Sequence, residues 1–570
     1  MKRILRTLFL LLLTLSHLLT VLACQKNVVT DSTAATSQEQ MQYEPKTQLQ
    51  TVVNKSKQPS DYEVPNVPAD LFSITCVSYV FAGNTNFIDA FADTEGGYTL
   101  VIPYSVGLEN VALYFNVPKT MRVLVDSRDV DTGIEFFDFS VDADVELYVA
   151  DNVNKTSELL KLKVYTTQTP LIYLDIDEKL GTMEQVHADL TKNTHCYGIA
   201  YVDSVDDSMD LISHFDIHGH GNSTWKRHDK KPYNIKFTED DSYSDSRKVS
   251  VLGLSSTSRL CLLADVWDET MTKTTLAHYL GEQVGMAYAI QTRYVYLYIG
   301  SVFSGLYVLA QKPAEIDEVL DLDLATGDNM DGSWVLEFDN FVSAKDQILI
   351  KKIKVTVKSS IEGCEYNALK DYLNEVRMSL EDPNGYNKQT GKYYYDYIDI
   401  ESYAKYVLIR EFSMDNDTVT NNWAYYDIRD QKLHAGPLWD FDNAFGNNTG
   451  ALFNDPKALL LLQDTKNPDG WLVLLMKHEE FVEELKKQYT KYAYLFDVED
   501  ERSAFAVYES WYTQMNELMY LSDLRWGYVS KTREYTGFEY DNSHYAREYS
   551  YTARFLYRRC RCYGEVIMDL

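Results

Sequence analysis

Apolar and polar residues alternate with a period of two through much of the first third of the chain. Short β-branched and aromatic runs such as GYTLVIPY, VALYFNV and VELYVAD are separated by turn-forming stretches such as AGNTN and EGG. A period of two places successive side chains on opposite faces of a strand, and closely spaced turns favour antiparallel pairing. The pattern predicts a small antiparallel, all-β sandwich over residues 66–168. It contains no catalytic constellation, so we expect a spacer or a binding module.

From residue 169 onward the pattern is mixed. Strand patterns come mostly first, in TPLIYLDID, HFDIHGHG, KPYNIKF, RYVYLYIG and GLYVLAQK. Helical periodicity is found at MTKTTLAHYLGEQVG and then at NALKDYLNEVRMSLED, DIESYAKYVLIREFSMD and FVEELKKQYTKYAYLF. Strands that precede helices in this way predict an α+β domain over residues 169–570.

The N-terminus has the features of a targeting segment. Lys2, Arg3 and Arg6 precede an apolar stretch that ends in Val-Leu-Ala-Cys at residues 21–24. This ending resembles a bacterial lipobox, in which Cys24 becomes the lipidated first residue of the mature protein. We therefore expect a lipoprotein signal over residues 1–24 and a lipid-anchored, extracytoplasmic protein of the cell envelope. An ordinary signal peptide or a single anchor helix is the alternative.

Composition narrows the classes of partner. Residues 25–65 are polar and predict a disordered tether. The net charge of −31 argues against nucleic-acid binding and leaves the lipid as the only expected membrane contact. The cysteines after Cys24 form no CxxC pair and show no zinc-type spacing.

Carboxylates with kinase-like spacing lie between residues 417 and 442. Asp417 stands five residues before Asn422, and the sequence WDFD supplies Asp440 and Asp442. Protein kinases use an Asp that accepts the hydroxyl proton, an Asn five residues later that holds Mg²⁺, and a later Asp that holds the metals. The spacing predicts that chemistry, and the surrounding sequence decides whether these carboxylates stand out among the 85 acidic residues of the chain.

A second candidate segment spans residues 216–237. Gly219 and Gly221 follow a predicted strand and precede Asn222 and Ser223, so the backbone there can approach phosphates closely. A tight hairpin is the alternative interpretation. In the next predicted strand Lys236 shares a face with Asn234, while Tyr233, Ile235 and Phe237 point to the core. Lys236 is therefore a candidate phosphate ligand or, alternatively, a solvated edge lysine.

Five collinear blocks resemble the CotH kinase family, which includes a spore-coat kinase. They are HGHGNSTW with KKPYNIKF, LCLLADVWDETMTKTTLAHYLGEQVG, VYLYIGSVFSGLYVLAQK, GSWVLEFDN, and DNDTVTNNWAYYDIRDQKLHAGPLWDFDNAFGN. The resemblance implies an atypical, two-lobe protein-kinase-like α+β domain that uses ATP and Mg²⁺ or Mn²⁺ to phosphorylate protein Ser/Thr. It also implies roles for individual residues. Asp417 would be catalytic, and Asn422, Asp440 and Asp442 would hold metal. Lys236, or Lys231 as a fallback, would reach the phosphates, and Glu337 would line the cleft. The β-sandwich resembles the Ig-like modules of bacterial surface lipoproteins.

The chain departs from the family pattern at its basic positions. His218 and His220 replace two arginines, Lys273 replaces a third, and Thr418 stands where a Ser is expected. A neutral histidine holds phosphate less well than the permanently charged arginine fork. These changes leave open a non-catalytic surface or adhesion protein on the same fold, or transfer of a group other than phosphate. A metal cluster of His218, His220 and His228 is a further alternative.

Overall fold

The computed structural model describes residues 73–570 except 82–83, 117–120, 126–127, 131–133, 141–142, 152–155, 340–345, 416, 419–420, 448–449, 451, 464–469 and 529–544. The predicted signal segment with Cys24 and the predicted tether lie outside the described residues. Within the described ranges, no helix combines the length and apolarity needed to cross a bilayer.

The first part of the described chain consists of β-strands. They are β1 (Ser73–Phe81), β2 (Asn84–Asp89), β3 (Phe91–Ala92), β4 (Tyr98–Pro103), β5 (Val111–Asn116), β6 (Met121–Val125), β7 (Arg128–Val130), β8 (Ile134–Phe137), β9 (Ala143–Asp151) and β10 (Thr156–Thr167). Strands β8-β5-β1-β2 pair in one sheet and β3-β4-β10-β9-β6-β7 in another. Within these two groups, pairing is antiparallel except between β4 and β10, which run parallel. The exception arises because five strands separate β4 from β10, so no tight turn fixes their relative direction.

The next segment is dominated by longer strands. These are β11 (Leu171–Ile176), β12 (His195–Asp203), β13 (Leu211–Gly219), β14 (Tyr233–Thr238), β15 (Arg259–Leu263), β16 (Thr292–Ile299) and β17 (Val302–Gln311). The helices between and after them are α1 (Met183–Ala188), α2 (Ser223–Arg227), α3 (Lys273–Gln283) and α4 (Ile316–Leu320).

Strands β11 to β17 close into a ring. They pair in the order β15-β14-β13-β12-β11-β16-β17, and β17 also pairs with β15. One face of every strand contributes to a single apolar core, with Trp225 of α2 packed against it. On β14 this face carries Tyr233, Ile235 and Phe237, as the alternation predicted, whereas Asn234 and Lys236 lie on the outer face.

The β-rich first part and the ring share one continuous sheet. Strand β2 runs parallel to β17 through the register pair Asp89 and Val302. The hydroxyl of Tyr298 on β16 donates a hydrogen bond of 2.7 Å to the carbonyl of Val101 on β4. Both contacts tie the predicted β-sandwich to the domain that follows it.

The C-terminal part combines a second sheet with most of the helices. Its strands are β18 (Trp334–Asp339), β19 (Gln347–Ile350), β20 (Ile353–Val357), β21 (Tyr386–Asn387), β22 (Lys392–Tyr393), β23 (Asn421–Asp427) and β24 (Lys432–Ala435). Its helices are α5 (Asn367–Glu381), α6 (Tyr394–Tyr397), α7 (Ile400–Ser413), α8 (Leu460–Gln463), α9 (Trp471–Leu475), α10 (Glu479–Tyr492), α11 (Ala504–Ser510), α12 (Tyr512–Trp526) and α13 (Tyr545–Met568). Strands β19-β20-β18-β23-β24 form one antiparallel sheet. Helix α7, which is buried along most of its length, contacts α3, α10 and β24.

Candidate active site

One cleft of about 1040 Å³ is lined by residues of both the β11–β17 ring and the C-terminal sheet. This volume lies just above the range of about 300–1,000 Å³ that is typical of small-molecule and cofactor sites. Most of the residues predicted from the sequence line it: Gly219, Gly221, Asn222, Ser223, Glu337, Asp417, Asp440 and Asp442. Residues as far apart in the chain as Gly219 and Asp442 therefore meet at one place.

The glycine-rich turn forms one wall of the cleft. Strand β13 ends at Gly219, and the His220 N–H donates a 3.0 Å hydrogen bond to the carbonyl of Pro232, just before β14. A Cβ at Gly219 would come within 2.7 Å of the Trp225 ring, and Gly221 has a φ of +70°. Glycine is required at the first position by packing and favoured at the second by backbone conformation. The turn leads into α2, and residues 220–232 together join the paired strands β13 and β14, so the connection is longer than the tight hairpin considered as the alternative. The turn also lines the cleft.

The two histidines that replace the family arginines carry no charge at neutral pH. Burial, together with nearby positive charges that include Lys312, lowers the pKa of His218 and of His220 to about 3. His220 lies edge-on to Trp439, and His228 packs edge-on against Trp267. Among the described residues, His218 does not form a ligand group with His220 and His228.

The positive charge of the cleft comes from other residues. Lys192 donates hydrogen bonds to the carbonyl of Gly221 and, at 3.0 Å, to Oδ1 of Asn222. Lys312 follows β17 and lines the cleft, and its ammonium has no hydrogen bond or ion pair within the described part of the chain. Lys358 forms an ion pair of 3.1 Å with Glu337 and lies over the Trp423 ring.

The two lysines that the sequence proposed as phosphate ligands do not line the cleft. Lys236 Nζ binds the carbonyls of Tyr243 and Ser244, at 3.4 and 2.8 Å. Lys231 Nζ binds the carbonyl of Trp225 at 2.5 Å. Same-face residues on a strand are roughly 7 Å apart, so Asn234 reaches the cleft while Lys236 lies beyond its edge.

The loop that carries Asp417 is anchored by a buried ion pair. Helix α7 ends at Ser413, and the positive φ of 53° at the next residue, Met414, turns the chain away from the helix axis. Asp415 follows and pairs with Arg410, and both side chains are buried. Arg410 also donates to the carbonyl of Trp439 at 3.3 Å, and the Asp417 N–H donates to Asp415 Oδ1 at the same distance. One arginine thus links the Asp417 loop to the segment that carries Asp440.

One side of the cleft is acidic, lined by Asp265, Asp417, Asp440 and Asp442. Burial, reinforced by the charges of Asp440, Asp265 and Asp417, raises the pKa of Asp442 well above its usual range. Burial also raises the pKa of Asp265, to about 7, with a contribution from Asp268. Asp265 stands in the block LADVWDET, but it was not singled out from the sequence.

The side chains present fit a divalent cation. Within the described residues, the buried atoms Asn422 Oδ1 and Asp265 Oδ2 have no hydrogen-bond partner. Magnesium and manganese prefer oxygen ligands, and a cation would relieve the repulsion among these carboxylates. Asn422 is buried on β23 and is not among the cleft-lining residues, so a cation held by its side chain would lie below the cleft surface.

Sequence reasoning missed Lys192, Lys312, Lys358 and Asp265. Lys312 ends the GLYVLAQK block just before a proline, and this signal could have identified it as a residue at the end of a strand, facing a loop. No sequence signal identified Lys192. Its loop lies next to the glycine-rich turn only because strands β12 and β13 pair in the ring.

A comparison with protein families found a match over the part of the chain that forms the cleft. The family model described as CotH kinase protein matches residues 217–562, which is more than half of the chain. A search of curated proteins found no match. The match contains every cleft residue that was predicted from the sequence, and it extends beyond the collinear blocks to the last helix. The chain belongs to the CotH kinase protein family.

Proposed function

We propose that this protein is an ATP-dependent kinase that transfers the γ-phosphate to Ser or Thr hydroxyls of proteins. The observation that carries the proposal is the convergence of Asp417, Asp440, Asp442 and the glycine-rich turn on one cleft. Kinase catalysis depends on positioning and electrostatics and needs no covalent enzyme intermediate, so a cleft that brings these groups together supports the proposal.

Each group has a distinct task in this proposal. Asp417 orients the acceptor hydroxyl and accepts its proton. Lys312 and Lys192 supply the positive charge that binds the phosphates, and the Gly219–Ser223 turn offers backbone N–H groups. Trp423 and Trp439 provide apolar surface on the cleft wall.

The acidic side of the cleft would hold the divalent cation. Asn422, Asp440 and Asp442 are its proposed ligands, with Asp265 as an added candidate. A bound Mg²⁺ or Mn²⁺ supplies neutralisation of phosphate charge. Glu337 holds the side chain of Lys358 at the cleft surface through their ion pair.

We further propose that the protein acts outside the cytoplasm, anchored by lipid on Cys24. The support is the basic segment, the apolar stretch and the Ala-Cys ending of residues 1–24. Mass spectrometry of the mature N-terminus, compared with a Cys24→Ala variant, tests this. Diacylglyceryl modification that disappears in the variant is expected, whereas an unmodified Cys24 in the mature chain would refute the anchor.

One observation favours a different function. The two residues that replace the family arginines are uncharged imidazoles, which weakens phosphate binding at the turn. A non-catalytic scaffold, or a transferase that moves a nucleotide rather than phosphate, is compatible with that change.

The experiment that separates these functions is the mass of the product. The full-length chain is incubated with ATP, Mn²⁺ or Mg²⁺, and a Ser/Thr-rich acceptor protein, beside the Asp417→Ala and Asp440→Ala variants. We expect addition of phosphate by the wild type and loss of that addition in both variants. Addition of AMP would establish a nucleotide transferase. No modification and no ATP consumption would establish the scaffold.

A further inference from the structure

A compact group of potential metal ligands lies on the outer face of the ring, apart from the acidic side of the cleft. His195 on β12 and His218 on β13 are direct cross-strand neighbours. Asp216 lies two residues before His218 and so shares its face of the sheet. One potential ligand atom from each residue falls within 4.8 Å of the other two.

The sheet fixes this arrangement. The two imidazole rings stack with their centroids 4.4 Å apart, and His195 Nδ1 contacts Asp216 Oδ1 at 2.5 Å. Strand pairing sets the backbone spacing, so the ligands converge without any loop having to order. All three side chains are partly exposed, which leaves an entry path for an ion.

The neighbouring groups leave room for a ligand role. Lys236 is the cross-strand neighbour of Asp216, but its ammonium is held by two backbone carbonyls. His218 Nδ1 is buried and has no hydrogen-bond partner within the described residues. Its other ring nitrogen lies 3.2 Å from the side-chain amide of Asn234. A buried ring nitrogen without a partner is costly unless something binds it.

We propose that His195, Asp216 and His218 form a binding site for a divalent transition-metal ion of the zinc class. Two imidazoles and one carboxylate with an open fourth position are a ligand set that suits Zn²⁺. Ligand atoms around tetrahedral zinc lie about 3.4 Å apart, so small side-chain rotations bring this group to coordination distance. Imidazole ligands select against Mg²⁺, which prefers oxygen, and this makes the site distinct from the cation site of the proposed kinase function.

The proposed metal site lies at the edge of the cleft. His218 lines the cleft, whereas His195 and Asp216 are not among the lining residues. A cation bound there adds positive charge next to the turn in which histidines replace arginines.

Zinc titration of the metal-free, full-length chain tests the site. Calorimetry is carried out with excess Mg²⁺, which occupies the acidic side of the cleft, and Co²⁺ absorption reports the ligand set. Variants are His195→Ala and the near-isosteric Asp216→Asn, neither of which lines the cleft. His214→Ala is the matched control. His214 lies on β13, on the same face as Asp216 and His218, but it does not belong to the group.

We expect the wild type to bind a single zinc ion and His214→Ala to bind it equally well. His195→Ala and Asp216→Asn should each weaken binding by at least about tenfold. An Asp440→Asn variant should retain zinc binding even if it loses every nucleotide-dependent property, which separates this inference from the proposed function. Absence of stoichiometric zinc binding by the wild type would overturn the proposal. Unchanged binding by folded His195→Ala and Asp216→Asn variants would do the same.

Discussion

Asp417 carries the chemistry in this account, because it is the side chain proposed to take the proton from the acceptor hydroxyl. Asp417→Asn keeps the shape of the side chain but removes its basicity. The transfer rate should fall about 10²- to 10⁴-fold, while the Kd for ATP stays within about threefold. Initial rates with γ-labelled ATP and separate binding titrations measure the two quantities. Asp371→Asn, on an exposed position of α5, is the matched control. A near-normal rate for Asp417→Asn would remove Asp417 from the catalytic role.

Two lysines compete for the phosphate-binding role. Lys312 lines the cleft, whereas the ammonium of Lys236 is satisfied by backbone carbonyls beyond it. A charged hydrogen bond contributes about 1.5–3 kcal/mol, so Lys312→Ala should raise the Kd for ATP roughly tenfold or more. Lys236→Ala should leave that Kd within about twofold. The reverse result in calorimetric titrations would return the role to Lys236.

At the scale of elements, the end of α7 is held by the Arg410–Asp415 ion pair. Removal of one partner leaves the other charge buried and uncompensated. Asp415→Asn should therefore lower the free energy of unfolding by about 3–5 kcal/mol and also reduce the transfer rate, because the Asp417 loop loses its anchor. Asp417→Asn should change only the rate. Urea denaturation of both variants distinguishes structural anchoring from catalysis, and equal stability of Asp415→Asn and wild type would contradict the anchoring role.

Helix α3 carries a pH-sensitive residue. Burial lowers the pKa of His278 to about 3, and its ring stacks on Trp439. Below about pH 6.5 the unfolded chain binds a proton at His278 that the folded chain excludes. The stabilisation of the folded state by the neutral His278 ring is therefore lost as the pH falls from 6.5 towards 3. Its share of the slope is about 1.4 kcal/mol per pH unit. His278→Phe keeps a stacked ring and should flatten the decline of the unfolding free energy between pH 6.5 and 5. Parallel pH profiles for the variant and wild type would contradict this.

At the scale of the whole molecule, the sequence predicted local structure better than long-range assembly. The alternation Tyr233, Ile235, Phe237 against Asn234, Lys236 correctly separated the core face of β14 from its outer face. Alternation gives the face on which a side chain lies but not how far the cleft extends along that face. That extent determines that Asn234 lines the cleft and Lys236 does not.

The closure of strands β11 to β17 into a ring could not be predicted from the sequence either. The pairing of β15 with β17 joins segments almost fifty residues apart, and no local pattern encodes it. The same holds for β2 and β17, which unite the first β-rich part with the ring. Because one sheet runs through both parts, tests of function should use the full-length chain.

Binding of ATP with a divalent cation decides whether this cleft is a nucleotide site. Isothermal titration of the full-length chain with ATP, in Mn²⁺ and in Mg²⁺, is compared with Asp440→Ala and with metal-free conditions. We expect saturable, metal-dependent binding by the wild type and a loss of at least about tenfold in affinity for Asp440→Ala. We also expect a higher melting temperature at saturating ATP and metal, since a ligand at 100 times its Kd stabilises the folded state by about 2.7 kcal/mol. Failure of the wild type to bind ATP with either metal would contradict the account.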